Sequence, residues 1–309
     1  MASPEAGSTF AAATALKCLS SHEYEANFVD DWCIGSVPHG GYATATFMQV
    51  ASKHFSSTLS AQNQPHTIAV HLDFLRRTSA GPALFTVKDT KLGRQASVIH
   101  VTLSQEGREE VIGSLTQGNI SAEEGVSFDT TYSLDPAPLP VNLSHLAKDQ
   151  DENWARAREM PFASFRKATQ KTMFHFPRER QRKRSQADEW VRLVSGEKWT
   201  DASIGYLADM WQNPYDVKNM EKTAGEKGPA KFWYPTLLLN LDIKKSLSEK
   251  PCEWLFVRVN SKRIQNGRMD LEVVIMDEEG DIIALSHHIA FALPAARNLA
   301  ARRTGASKI

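Results

Sequence analysis

The chain repeats itself, and the two copies differ in ways that bear on function. Residues 66–77 read HTIAVHLDFLRR and residues 235–246 read PTLLLNLDIKKS, so that Thr67, Leu72 and Asp73 answer Thr236, Leu241 and Asp242. A long alternating run follows each segment, and a short apolar helix candidate precedes each. Two copies are too few for a solenoid, so the repeat predicts a fused pair of similar domains. In such a pair one site can be kept while its twin drifts, which makes the differences between the halves informative.

At 309 residues there is room for two compact units. A hydrophobic content of 41% with 23% charged residues suffices for a substantial core. The formal net charge is zero, which gives no electrostatic case for nucleic acid. Cys18, Cys33 and Cys252 are odd in number and widely spaced, suiting buried thiols in a reducing compartment rather than a metal-ligand pattern. No run approaches the roughly 18 apolar residues of a membrane span. The N-terminus lacks the basic start and apolar stretch of a signal peptide. The sequons at Asn119 and Asn142 therefore carry little weight. Ser307-Lys308-Ile309 is a one-residue variant of the Ser-Lys-Leu peroxisomal address, read by an import receptor, so a peroxisomal location is expected ahead of a cytoplasmic one.

Residues 1–22 read as a loose lead-in, 23–118 as the first unit, 119–190 as a connector, 191–297 as the second unit and 298–309 as a tail. In the first unit 23–35 reads as an edge strand and turn, and Pro38, Gly40 and Gly41 break regular structure before a helix over 42–55. Ile68, Val70, Leu72 and Phe74 share one strand face. The texts QEG at 105–107 and EEG at 278–280 mark hairpin turns at matching places. The second unit opens on a helix capped by Thr200 or Asp201, striped with Ile204, Leu207, Ala208 and Trp211, and ended by Pro214. A helix followed by long antiparallel strands, given twice, predicts an α+β fold of two sheets, each curled around one helix. The connector carries Trp154, Phe162, Phe165, Phe174 and Phe176 to pack on the two units, and the basic run Arg178–Arg184, a solvated face or a contact for substrate phosphates.

Four stretches resemble the acyl-CoA thioesterase II family, two tandem hotdog folds in one chain. They are Gly35–Tyr42 (GSVPHGGY), His71–Arg77 (HLDFLRR), Gly205–Met210 (GYLADM) and Asp277–His288. The style, especially VPHGGY and ALSHH, is similar to filamentous-fungal members, some of them in secondary metabolism. The resemblance covers most of 23–118 and 190–293. It implies a double hotdog acting on an acyl-CoA or carrier-bound acyl thioester with no bound cofactor, and possible self-association. It also implies an Asp, a Thr and a Gln that hold and activate a water. Asp209 and Thr236 match the first two, and His288 stands where the family has Gln.

Each candidate also has an ordinary structural reading. An unpaired core carboxylate is costly to ionise, so Asp209 is either functional or a polar-face residue. Thr236 is a common β-former, credited here because of Asp209. His287 and His288 point to opposite faces of one strand; small residues at Ala284, Ser286 and Ala290 give His288 room beside a substrate. His39, Gly40, Gly41 and Tyr42 form either a tight turn or a substrate-binding helix entry whose amides polarise a carbonyl. No Gly-x-Ser-x-Gly elbow, dinucleotide or Walker fingerprint, or metal-ligand spacing occurs. The expected activity is Asp-activated thioester hydrolysis. A change of reaction to an isomerase, dehydratase or cyclase with His288 and Asp209 as acid–base pair is the alternative, and non-catalytic acyl binding a third.

Overall fold

The computed structural model describes residues 8–158, 160–212 and 230–301. The first copy contributes strand β1 (Glu23–Phe28), helix α1 (Gly40–Ser56), β2 (His66–Phe74), β3 (Gly81–Lys91), β4 (Ser97–Gln105) and β5 (Arg108–Gly118). The second contributes β6 (Thr172–Pro177), β7 (Gln186–Leu193), helix α2 (Asp201–Asp209), β8 (Thr236–Ile243), β9 (Leu255–Asn260), β10 (Arg268–Met276) and β11 (Ile282–Phe291). Neighbours run β1-β3-β4-β5-β2 in the first unit and β7-β9-β10-β11-β8 in the second, the same order twice. An antiparallel β2–β8 ladder joins them into one continuous sheet. The fold is the expected double hotdog, α+β.

The sequence repeat and the ladder register fit together. Matching Thr67 with Thr236 also matches His71 with Asn240, and these two residues face each other across the β2–β8 pair. The two copies thus meet on their own pseudo-twofold axis, where His71 Nδ1 lies 2.7 Å from Asn240 Oδ1. The helices pack on each other inside the sheet, and glycines let their backbones touch. A Cβ at Gly41 would stand 2.4 Å from the Tyr206 carbonyl oxygen, and one at Gly205 would stand 3.1 Å from the Ala45 nitrogen. The buried hydroxyls of Tyr42 and Tyr206 donate to the carbonyls of Ala13 (2.6 Å) and Ala168 (3.0 Å), each in the segment that leads into its own unit.

Local signals account for most boundaries. Thr200 and Ser203 form a capping box that starts α2, as the sequence suggested for Thr200. The helix ends at Asp209; Pro214 lies outside the described residues, as do Ser307, Lys308 and Ile309. Glu106 (φ 53°) and Gly107 (φ 71°) both take the left-handed region, which makes the β4–β5 connection a two-residue hairpin turn.

Three boundaries differ from the sequence reading. Residues 8–22 are not a loose lead-in: Phe10–Ala13 is helical, Phe10 packs edge-on to Trp32, and Leu16–Cys18 pairs with β1 and covers its edge. The 190/191 boundary falls inside β7, the first strand of the second unit. The β7 sequence hides its period because both faces are covered, one by the inner core and one by Trp154, Trp254 and Phe256. The tail is anchored at its start. Asn298 is fully buried and accepts from the Ser36 amide (3.0 Å), and Arg77 donates to the carbonyls of Arg297, Asn298 and Ala300.

Three of the five cations in the basic run contact the connector itself. Arg178 donates to the Asp151 carbonyl (2.7 Å), Arg182 to that of Ala137, and Lys183 pairs with Asp135. Nearby, Arg258 is 1% exposed and holds Asp188 through two bonds of 2.6 and 2.7 Å while also donating to the Pro136 carbonyl.

Candidate active site

A cavity of about 310 Å³ opens where the first unit's helix entry meets the end of α2 and the start of β8. Its walls are mostly apolar, with Phe74, Phe165, Trp211, Trp233, Tyr234 and Phe291 among them. The polar exceptions include His39, Asp209 and Thr236. An apolar cleft with a few convergent polar groups is the usual form of a small-molecule site.

Asp209 is the last residue of α2, where the helix dipole disfavours negative charge. It is only 6% exposed. Thr236 Oγ1 donates to its Oδ1 at 2.9 Å, and the Trp211 indole N–H reaches the same oxygen at 3.3 Å. His288 Nδ1 lies 3.4 Å from Oδ1, and His39 Nε2 lies 3.7 Å from Oδ2. The N-terminus of α1, with its opposite dipole, also faces Oδ2: a Cβ on Gly40 would stand 2.5 Å from that oxygen. Burial pushes the Asp209 carboxyl up, but contacts with His288, the charge of His39 and the Thr236 bond outweigh it and hold the group below its ordinary value. Asp209 is therefore a carboxylate at neutral pH.

The two histidines play different parts. His39 caps α1, its Nδ1 accepting from the Gly41 amide at 3.1 Å, so the ring proton sits on Nε2 and faces Asp209. Burial holds its pKa below the usual value despite the neighbouring Asp209, so the ring is neutral near pH 7. His288 is fully buried and does not reach the cavity wall. Ser286 Oγ donates to the Asn240 carbonyl at 2.7 Å and so must accept from His288 Nε2–H, also at 2.7 Å. That leaves Nδ1 3.4 Å from Asp209 Oδ1, close to the carboxylate but without a hydrogen bond of good geometry.

The sequence reading gains and loses here. Asp209, Thr236, His288, His39, Gly40 and Gly41 come together. His288 was expected to touch water or substrate; instead it is fully buried behind Asp209, and Ala284, Ser286 and Ala290 around it are buried too. His287 is exposed on the other face, as strand alternation required. Tyr42 does not join the site: its ring packs on Phe28 and Trp32. Trp211 was read only as part of the apolar stripe, and nothing in the sequence marks its indole as a donor to Asp209.

The two halves differ at this place. Thr67 pairs with Gln117 and Thr236 with Ala290, each just before the same irregularity in the ladder. In the first unit Gln117 donates to the Thr67 hydroxyl at 2.8 Å and occupies it. In the second, alanine leaves the Thr236 hydroxyl free to bind Asp209. Aligning Gly41-Tyr42 with Gly205-Tyr206 puts Ala45 at the place of Asp209, so the first unit lacks the carboxylate.

Known proteins agree with this architecture. Residues 28–118 match the family model of the acyl-CoA thioesterase N-terminal domain, and residues 135–292 match that of the C-terminal domain. The chain is 33% identical, over an alignment of 353 residues, to the thioesterase-like protein TwmA of Talaromyces wortmannii, covering 100% of this chain and 99% of that protein. Among solved structures, a hot dog protein of unknown function from Alicyclobacillus acidocaldarius superposes with a TM-score of 0.72 at 15% identity, covering 92% of this chain and 97% of that one. The acyl-CoA thioesterase II TesB2 of Mycobacterium marinum does so with a TM-score of 0.62 at 16% identity, with the same coverage. At such identities the structures speak for the fold; the domain matches along both units and the full-length relative speak for descent, and by them the chain belongs to the acyl-CoA thioesterase family.

Proposed function

We propose that this protein hydrolyses an acyl thioester, carried on CoA or an acyl carrier, with Asp209 as the group that activates water. The observation that carries the reading is the division of labour between the Asp209 oxygens. Oδ1 is held by Thr236 and Trp211 with His288 behind it, which leaves Oδ2 at the cavity wall beside His39 and Gly40. Water bound at Oδ2 attacks the thioester carbonyl carbon and passes a proton to Asp209. The carbonyl oxygen becomes an oxyanion at the α1 N-terminus, where the Gly40 amide makes no hydrogen bond within the described residues. Collapse breaks the carbon–sulfur bond, and the thiolate leaves with the proton. The products are a carboxylic acid and a thiol. The aromatic walls suit an apolar acyl group, and no cofactor enters the scheme.

The His39–Asp209 pair at the cavity wall supports a second reading, in which the two act as acid and base on the acyl chain itself and the thioester survives. Thiol release from a panel of acyl-CoAs, wild type beside Asp209→Asn, separates the two. Hydrolysis predicts release that falls by about 100-fold or more in the variant. No release from any member, with the folded protein altering the mass or absorbance of the acyl group, would give the site to the second reading. Ligand binding without turnover, unchanged by Asp209→Asn, would make the protein an acyl binder.

A further inference from the structure

At the far end of α1, roughly 22 Å along the helix from His39, three side chains from separate segments converge. His54, in the last turn of α1, is fully buried. Asp89 belongs to β3, and His22 sits on the turn that leads into β1. His54 Nε2 lies 3.0 Å from Asp89 Oδ1 and His22 Nε2 lies 3.3 Å from Asp89 Oδ2. All three ligand-type atoms fall within 4.8 Å of one another.

The outward-facing ring nitrogens decide what the inward-facing ones can do. His54 Nδ1 lies 3.0 Å from the Ser21 carbonyl oxygen, an atom that only accepts, so Nδ1 carries the ring hydrogen. The Tyr24 hydroxyl, 3.1 Å from the same nitrogen, donates onward to that carbonyl at 3.3 Å. His22 Nδ1 is likewise engaged, 2.8 Å from Ser21 Oγ. Ser21 Oγ can donate or accept and leaves the His22 tautomer free. Both Nε2 atoms turn toward one carboxylate, and a neutral His54 ring with its hydrogen on Nδ1 would aim its lone pair at negative charge. A cation shared by the three groups would relieve that contact. Histidines whose second nitrogen is anchored to protein, with the first directed at a shared point, have the form of metal ligands.

We propose that His22 Nε2, His54 Nε2 and the Asp89 carboxylate bind a divalent transition-metal cation, zinc by preference. Two imidazoles and a carboxylate suit zinc better than magnesium or calcium, which favour all-oxygen sites. Ligands at about 2.0–2.2 Å on a tetrahedral ion lie roughly 3.3 Å apart. The two nitrogens stand 3.0 and 3.3 Å from different oxygens of Asp89, so the carboxylate has to turn and the two nitrogens have to draw together around the ion. His22 is 41% exposed on its turn and can swing inward, and the same opening admits the ion and a water as fourth ligand. The second acidic cluster, Asp277, Glu279 and Asp281, makes the contrast. The Lys245 ammonium already stands 2.6, 3.7 and 2.8 Å from its carboxylates. At the histidine site no lysine or arginine contacts Asp89 among the described residues. A bound ion would tie the entry to β1, the end of α1 and β3 together, a structural clip remote from Asp209. Local pattern does not mark the site, because the three residues lie more than 30 positions apart.

The test is titration of the full chain, stripped with chelator, against zinc chloride by calorimetry, beside His22→Ala and Asp89→Asn. His54 is avoided because its burial makes a variant prone to misfold. The wild type should take up one equivalent with micromolar or tighter affinity. Both variants should bind at least about 100-fold more weakly. Zinc at about 100 times its Kd should raise the wild-type Tm by several degrees and leave the variants unmoved. Cobalt in place of zinc should give visible absorption of tetrahedral type that both substitutions abolish. No uptake by the wild type, or uptake undiminished in both variants, would overturn the proposal.

Discussion

Glu189 sits on β7 facing the second unit's core, fully buried, with neither carboxyl oxygen hydrogen-bonded among the described residues. Burial raises its pKa well above the ordinary value, and the neighbouring Asp188 charge adds to the effect. Replacing it with methionine, similar in length and apolar, removes a polar group whose unmade hydrogen bonds cost about 1–3 kcal/mol. Imperfect packing takes back less than about 1.5 kcal/mol. Glu189→Met should therefore be more stable by about 1–2 kcal/mol at pH 4 to 5, a rise of roughly 2–4 °C in Tm per kcal/mol. The pH dependence is the sharper signature. A raised folded pKa means that the native state holds its proton where the unfolded chain has lost it. The wild type is then most favoured below the ordinary glutamate value and loses about 1.4 kcal/mol per pH unit as pH climbs from there toward the folded value. Methionine has no such slope, so the gap between variant and wild type should widen through this window. Urea denaturation of both proteins at pH 5, 6, 7 and 8 measures it. A variant less stable at every pH, or a gap that does not change with pH, would refute the account and point to a partner for Glu189.

The helix contact and the site chemistry give two more expectations. Gly41→Ala puts a Cβ 2.4 Å from the Tyr206 carbonyl oxygen, roughly 1 Å inside van der Waals contact. The helices must part, which should cost about 1–3 kcal/mol and, by moving Asp209, on the order of 100-fold in kcat; an unchanged Tm and kcat would show that the close approach is dispensable. On pH, Asp209 titrates below the ordinary carboxylate value and His39 below the ordinary histidine value, so kcat/KM should be flat from about pH 6.5 to 8 and fall only on the acid side of that range. An acid limb centred above pH 7 would assign the essential base elsewhere.

Much of this was legible in the sequence, for physical reasons that can be named. The repeat gave the double fold because Thr67 and Thr236 sit at the same turn of the same strand. Alternation put His288 and His287 on opposite faces, and the family's Gln position with the small residues beside it chose His288, although the more apolar company of His287 spoke against that choice. The Thr200 cap located the start of α2, and the family resemblance of Gly205–Met210 singled out Asp209. What stayed hidden depends on approach across the chain. The direction of the Trp211 indole N–H and the retreat of His288 behind Asp209 leave no mark in local pattern. Nor does the double burial of β7, whose outer face is covered by residues from the connector and a strand more than sixty positions away. The convergence of His22, His54 and Asp89 is of the same kind.

The seam at His71 and Asn240 bears on what the molecule is free to become. Two identical subunits meeting on a true twofold axis would carry every substitution twice, and Asp209 could not exist without a second copy of itself across the axis. Joining the copies in one polypeptide removes that obligation. Helix α1 can serve as a lid and capping element for a pocket whose carboxylate belongs to α2, while Gln117 closes the corresponding place in the first unit. The same seam limits how far the halves can part. Severed along it, β2 and β8 would each present an open edge of unpaired amides and carbonyls, a surface prone to recruit any passing strand. The asymmetry that gives the carboxylate to one half and the closed pocket to the other therefore depends on a junction neither half could leave exposed.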